Sequence, residues 1–266
     1  MSGSGITAGA GIAFGAGIGL GAGISPTPPP TPSPYEGSGV FNGAAPGTFL
    51  DVAETAGFSF GSSDFTIEAW VYPIGAGANR RFFSQTINAT PITQQCLRQT
   101  NGNKFQYFFN EQGNGLINIT GSTDLNFNAW NHCAIVRSGA TFTLYQNGVS
   151  VGSGSYSGSL PDMISADLAI GISNAGGSNN WAGNISNYRI VKGVAVYTGA
   201  YTLPTASFTP TQSANPYGGS NTSAISSGQT QLLLNMYTNE PVNTDNSGYG
   251  VTVTNSGVSN DSLNPF

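Results

Sequence analysis

Charge is what this chain has least of. Only 7% of its 266 residues are Asp, Glu, Lys or Arg, seven of them basic and twelve acidic. The net charge of −5 and the scatter of the basic residues exclude an electrostatic footprint for nucleic acid or anionic lipid. Charge-driven disorder is excluded by the same scarcity. Two cysteines, Cys96 and Cys133, are too few for a disulfide framework; they can bridge, or stand as free buried thiols. The single histidine, His132, lacks companions for a zinc site. It adjoins Cys133 on one strand, so the two side chains point to opposite faces and cannot form a nucleophile–base dyad. No segment carries a helical stripe longer than two turns.

Glycine, by contrast, is abundant, at 38 residues, and Asn, Ser and Thr are frequent. That profile suits a loop-rich β protein with a neutral polar surface. The opening stretch Gly5–Ile24 repeats Gly-Ile-x-x-Gly-Ala, and its even positions are all apolar while its odd positions are Gly except Thr7 and Ala13. Such alternation predicts an extended strand with one bulky and one bare face. Ile6, Ile12, Phe14, Ile18, Leu20 and Ile24 are then the candidate anchor residues. Eight glycines in these twenty residues argue against a membrane helix. Neither end has an interfacial anchor, and a basic n-region for a signal peptide is missing, the first basic residue being Arg80. The next ten residues hold six prolines, so residues 25–34 read as a semi-rigid linker.

From Tyr35 onward, strand follows strand, with Gly/Asn/Ser turns between. "DFTIEAWVYP" alternates Phe65, Ile67, Ala69 and Val71 against Thr66, Glu68, Trp70 and Tyr72, and Pro73 ends it. "WNHCAIVR" and "TFTLYQ" lead to Asn147-Gly148, a strong hairpin signal. Many short strands at about ten-residue spacing predict an all-β sandwich or jelly roll. Residues 231–266, with "QLLLNM" and the alternating "GVTVTNSGV", are expected to complete its strands after a loop at 211–230.

"FTIEAWVYP", "WNHCAIVRSGATFTLYQNGVSV" and "WAGNISNYRIVKGVAVYTGAYTLP", in that order over residues 38–210, resemble the laminin-G-like branch of the concanavalin A-like lectin/glucanase fold. The resemblance implies a concanavalin A-like β-sandwich jelly roll over residues 35–266, preceded by the anchor at 1–24 and the linker. The "VYTGAYT-P" ending, the "LLLN" strand and the opening repeats are similar to those of tailed-phage virion proteins. They imply a non-enzymatic virion surface protein: a capsid decoration, head fibre or tail appendage displaying a lectin-like sandwich. A homotrimer is expected, since three copies of a Gly-faced strand could bury one another, with capsid or tail proteins as partners of residues 1–24. The alternative is a bacterial carbohydrate-binding or cell-surface adhesin module, extracellular rather than on a virion.

The fold also hosts glycoside hydrolases, which need two carboxyls about 5 Å apart for retaining hydrolysis. Glu68 stands in its strand without a second acid, so no catalytic residue is assigned. Ca²⁺ occurs in the family, but Asp51, Asp64 and Asp245 form no dense oxygen-rich loop, so neither a metal nor another cofactor is expected. Host glycan would fall to "SNAGGSNNW", where Trp181 offers an aromatic and Asn174, Asn179 and Asn180 offer amides. The competing reading has Trp181 packed over the sheet.

Overall fold

The computed structural model describes residues 36–45, 47–76, 79–87, 93–111, 114–163, 165–173 and 178–266. The anchor residues of 1–24, the linker and Asn174 lie outside the described residues.

The strands in chain order are β1 (Ser38–Asn42), β2 (Phe49–Val52), β3 (Phe65–Pro73), β4 (Arg80–Ile87), β5 (Thr93–Gln99), β6 (Lys104–Glu111), β7 (Asn114–Asp124) and β8 (Asn131–Ser138). They continue with β9 (Thr141–Gln146), β10 (Val149–Ser155), β11 (Asp167–Ile170), β12 (Ala182–Lys192), β13 (Thr230–Leu234), β14 (Val253–Ser256) and β15 (Ser259–Asp261). Two antiparallel sheets result, as the sequence pattern predicts. One has the order β10-β9-β8-β3-β12-β1-β15, with β13 also on β12, and the other β14-β2-β11-β4-β5-β6-β7. The chain from Gln231 onward contributes to both. The central strand β12 meets β1 through Ala182–Ile185 and β13 through Tyr188–Val191, while β14 pairs with β2 and β15 with β1.

Alternation sets which side chains enter the space between the sheets. Phe65, Ile67, Ala69 and Val71 of β3 meet Phe82, Phe83, Leu97, Tyr107 and Phe109 there. Cys133 belongs to the same core, and Leu232 and Leu234 join it from the late strand β13. The β9–β10 hairpin turns on Asn147 and Gly148, both at positive φ (50° and 83°), which matches the twist of the flanking strands. A Cβ at Gly148 would stand 2.6 Å from the Tyr201 carbonyl oxygen, so close approach also demands glycine here.

The other face of β3 is buried as well. The segment between β12 and β13 lies across it, and Val196, Tyr197, Tyr201 and Ile225 pack against Ala134, Val136 and Tyr145. Phe208 from that segment joins Trp70 and Leu233. One sheet is therefore covered on both faces.

Candidate functional site

Beneath that covering segment, a polar cluster forms around Glu68. Its Oε1 accepts from Arg189 Nε at 2.8 Å and pairs with Nη2 at 2.7 Å. Its Oε2 accepts from the Tyr197 hydroxyl at 2.6 Å, and His132 Nε2 stands 3.2 Å away in poor alignment for a hydrogen bond. His132 Nδ1 meets the Tyr201 hydroxyl at 2.7 Å. Burial alone would push the Glu68 carboxyl up, but Arg189, His132 and Tyr197 together outweigh it and hold the pKa at about 2. Glu68, His132 and Arg189 are all within 1% of full burial, so this cluster ties the cover to the sheet and meets no ligand from solvent. Among the described residues no group of three or more His, Cys, Asp or Glu is placed to hold a metal ion.

The Asn-rich loop needs a correction. Of the two readings of Trp181 the packed one holds and the glycan-facing one does not: it is fully buried, its indole set edge-on to Phe82 at 5.4 Å between centroids. The cause is its position one residue before β12: its backbone N–H donates to the Gly171 carbonyl at 2.8 Å, which carries the side chain into the core. Asn180 is partly exposed, but its side-chain amide braces the Ala44 carbonyl. The Asn179 carbonyl accepts from the backbone N–H of Arg81 at 2.9 Å, so this loop borders β4.

Arg81 leads to the surface that sequence reasoning missed. Residues of β4 to β7 that alternate with the core positions project from the outer face of the second sheet, and the register aligns them in rows across four strands. Arg81 lies opposite Arg98, Gln106 and Thr120; Ser84 opposite Cys96, Phe108 and Asn118; Thr86 opposite Gln94, Asn110 and Gly115. The three rows open into a depression of about 310 Å³ whose lining includes Arg81, Gln94, Arg98, Phe108, Asn110 and Asn118. Its floor is low at Gly115, where an added Cβ would meet nothing within 4 Å. The Phe108 ring is half-buried, with the guanidinium carbons of Arg98 and Arg81 4.9 Å and 5.6 Å from its centroid. Gln106 links the rows, accepting from Arg98 Nε at 2.5 Å and donating to Asn118 and Thr120 at 3.1 Å and 2.7 Å. Beneath them Cys96 is fully buried, and burial pushes its thiol up to about 12 although both arginines pull the other way. Both cysteines are free.

A second depression, about 510 Å³, lies between Glu54–Gly57 and Tyr249–Thr252. Tyr249 is exposed there, but its hydroxyl is tied to the Gly228 carbonyl, and the Gln231 amide donates to the Gly228 and Gln229 carbonyls. Its walls are loops and turns with Gln231 of β13, whereas the first depression stands on four paired strands.

The model of the concanavalin A-like lectin/glucanases superfamily matches residues 47–196, from β2 through β12. The chain belongs to that superfamily. Among solved structures, this lectin-like sandwich is similar to a Bacteroides ovatus protein to which carbohydrate binding has been ascribed, at 16% identity and a TM-score of 0.60. The match covers 86% of this chain and 60% of that one, so the chain spans less than two thirds of that relative's length. It is also similar to domains LG4-5 of the mouse laminin α1 chain (14% identity, TM-score 0.45, 64% of this chain and 47% of that one). A third similar structure is the enzymatically active domain of tailspike protein 2 from bacteriophage CBA120 (16% identity, TM-score 0.43, 58% and 25%). No curated protein sequence matches the chain. In this superfamily member, the outer face of β4 to β7 combines a flat apolar ring with amides and cations held in rows on a sheet. Those groups can stack on a ligand ring and hydrogen-bond its hydroxyls.

Proposed function

We propose that the sandwich is a carbohydrate-binding module that takes a glycan on the outer face of β4 to β7. One observation carries this reading: Phe108 projects from β6, paired on both sides by β5 and the edge strand β7, with Gln94, Asn110 and Asn118 around it. A sugar has apolar C–H faces that stack on an aromatic ring and hydroxyls that both donate to and accept from amides. Support comes from the lectins that share the fold and from the carbohydrate binding ascribed to the Bacteroides ovatus protein. A panel of immobilised neutral and acidic glycans, probed with the full chain and with Phe108→Ala, tests the reading. Losing one aromatic contact of about 1–1.5 kcal/mol weakens binding about tenfold. Equal retention of both proteins on every glycan they bind would overturn it.

The setting we propose for this module is the surface of a tailed-phage virion, as a capsid decoration, head fibre or tail appendage. Host glycans are then the ligands, and residues 1–24 the anchor of a homotrimer. This part rests on the resemblance of the opening repeats and of "VYTGAYTLP" to virion proteins. Deleting residues 1–24 separates it from a free-standing bacterial adhesin module. Loss of trimers with glycan binding retained supports the anchor; unchanged oligomeric state counts against it.

A further inference from the structure

The outer face of β4 to β7 carries a charge that the protein itself leaves unbalanced. Arg81 and Arg98 are two of only seven basic residues in a chain of net charge −5, yet they stand directly opposite each other on neighbouring strands. Like charges so placed destabilise an antiparallel pair. The ion pairs among the described residues are Lys104 with Asp124 and Arg189 with Glu68; neither Arg81 nor Arg98 takes part in one. Their partners are neutral: Ser84 Oγ at 3.2 Å and Gln94 Oε1 at 3.5 Å for Arg81, Gln106 Oε1 for Arg98. Cys96, two residues from Arg98 on β5 and opposite Ser84, holds its proton and supplies no thiolate. The Phe108 ring attracts both guanidinium groups but cancels neither charge. Burial, with the charge of Arg81 adding to it, pulls Arg98 below the usual guanidinium value.

Two further atoms lining this depression lack a protein partner. Arg81 is only 9% exposed, and its Nε has no hydrogen-bond acceptor. Asn110 Oδ1, across the same depression, has no donor. Unpaired polar atoms of this kind are uncommon in folded proteins, and each is costly. The depression's volume, about 310 Å³, falls at the small end of the range for small-ligand sites, about 300–1,000 Å³.

We propose that this face takes an acidic sugar, one whose ring carries a carboxylate or sulfate set against Arg81 and Arg98. The inference rests on the glycan reading above and narrows it. The ring stacks on Phe108, its hydroxyls meet Gln94, Asn110 and Asn118, and the oxyanion takes the guanidinium donors that neutral partners leave free. Planar guanidinium groups suit such oxyanions, because two N–H donors can meet two oxygens at once.

The test uses the full chain in titration calorimetry with four probes: trigalacturonate, its methyl ester, a galactose-6-sulfate disaccharide and galactotriose. Binding of trigalacturonate at least about tenfold tighter than of its ester supports the proposal. A corresponding preference for the sulfated disaccharide over galactotriose supports it with sulfate as the source. In Arg98→Gln and Arg81→Gln the preference for acid falls to about onefold, and Arg98→Lys retains part of it; thermal melting of each variant confirms that it is folded. Should the variants melt early, the parent's preference at rising salt decides, since an ionic contact weakens with screening. Equal affinity for acid and ester, with no preference for sulfate, overturns the proposal. Gly115→Tyr, which fills the depression without touching a charge, separates the two levels. If it abolishes all binding while acid and neutral probes bind alike, the glycan reading stands and only the acidic ligand falls. If sugars bind and Gly115→Tyr leaves them unaffected, the face itself is wrong and both fall.

Discussion

Replacing Glu68 with Gln removes one negative charge from a place where nothing else can supply it. Arg189, 1% exposed, would keep only the Thr209 carbonyl at 3.1 Å and the Phe208 ring at 4.3 Å. Tyr197 and His132 would face an amide in place of a carboxylate. Breaking a buried ion pair on one side costs about 3–5 kcal/mol, because the remaining charge is left without a partner. For a domain of this size, that cost lowers the melting temperature by about 10 °C. The pH dependence supplies an independent magnitude. The folded carboxyl sits at about 2 against an ordinary 4.5, which through linkage amounts to about 3 kcal/mol. Because the folded value is depressed, this stability is fully present above the ordinary pKa and is lost as the pH falls from about 4.5 toward 2. Urea unfolding from pH 7 to pH 2.5 should show the parent losing stability over that interval and Glu68→Gln following a flatter course. Adding Arg189→Met to Glu68→Gln should recover part of the loss, since the stranded cation goes with it. A single variant within about 1 kcal/mol of the parent at pH 7, with the same acid slope, would refute this role for the cluster.

Two other outcomes follow from the core. Leu232→Ala, at a fully buried position of β13, should cost about 2–5 kcal/mol in chemical unfolding, as expected if the late strands belong to the same core as the early ones. Cys96 and Cys133, both buried and with their thiols pushed up by burial, should resist alkylation at pH 8 until denaturant is added; rapid labelling of the native protein would contradict their placement.

The sheets were legible wherever alternation had one clear inner face. "DFTIEAWVYP" showed which side of β3 enters the core, and Asn147-Gly148 showed a hairpin. What the alternation could not show was that Thr66, Glu68 and Trp70 would also be buried. That burial comes from a segment more than a hundred residues away in sequence, and nothing local to β3 reports it. The site was less legible for a similar reason. Trp181 sits in a run of Asn and Ser that reads as a surface loop, while its ring is drawn inward by the start of β12. Conversely, Gln94, Cys96 and Arg98 alternate in "TQQCLRQ", and Gln106, Phe108 and Asn110 in "KFQYFFN". Each run marks an outer face by itself. Only strand register brings the runs together: an irregularity in β4 sets Arg81 opposite Arg98, the regular β5–β6 pairing sets Cys96 opposite Phe108, and irregularities in β7 set Asn110 opposite Gly115.

Amide chemical-shift mapping of the isotopically labelled full chain, titrated with trigalacturonate and with galactotriose, addresses the glycan-binding face most directly. Shifts concentrated at Gln94, Arg98, Phe108, Asn110 and Asn118, saturating with the probe, are the predicted result. Shifts confined to Tyr249–Thr252 or to Ser178–Asn180, with β4 to β7 unmoved, would contradict it.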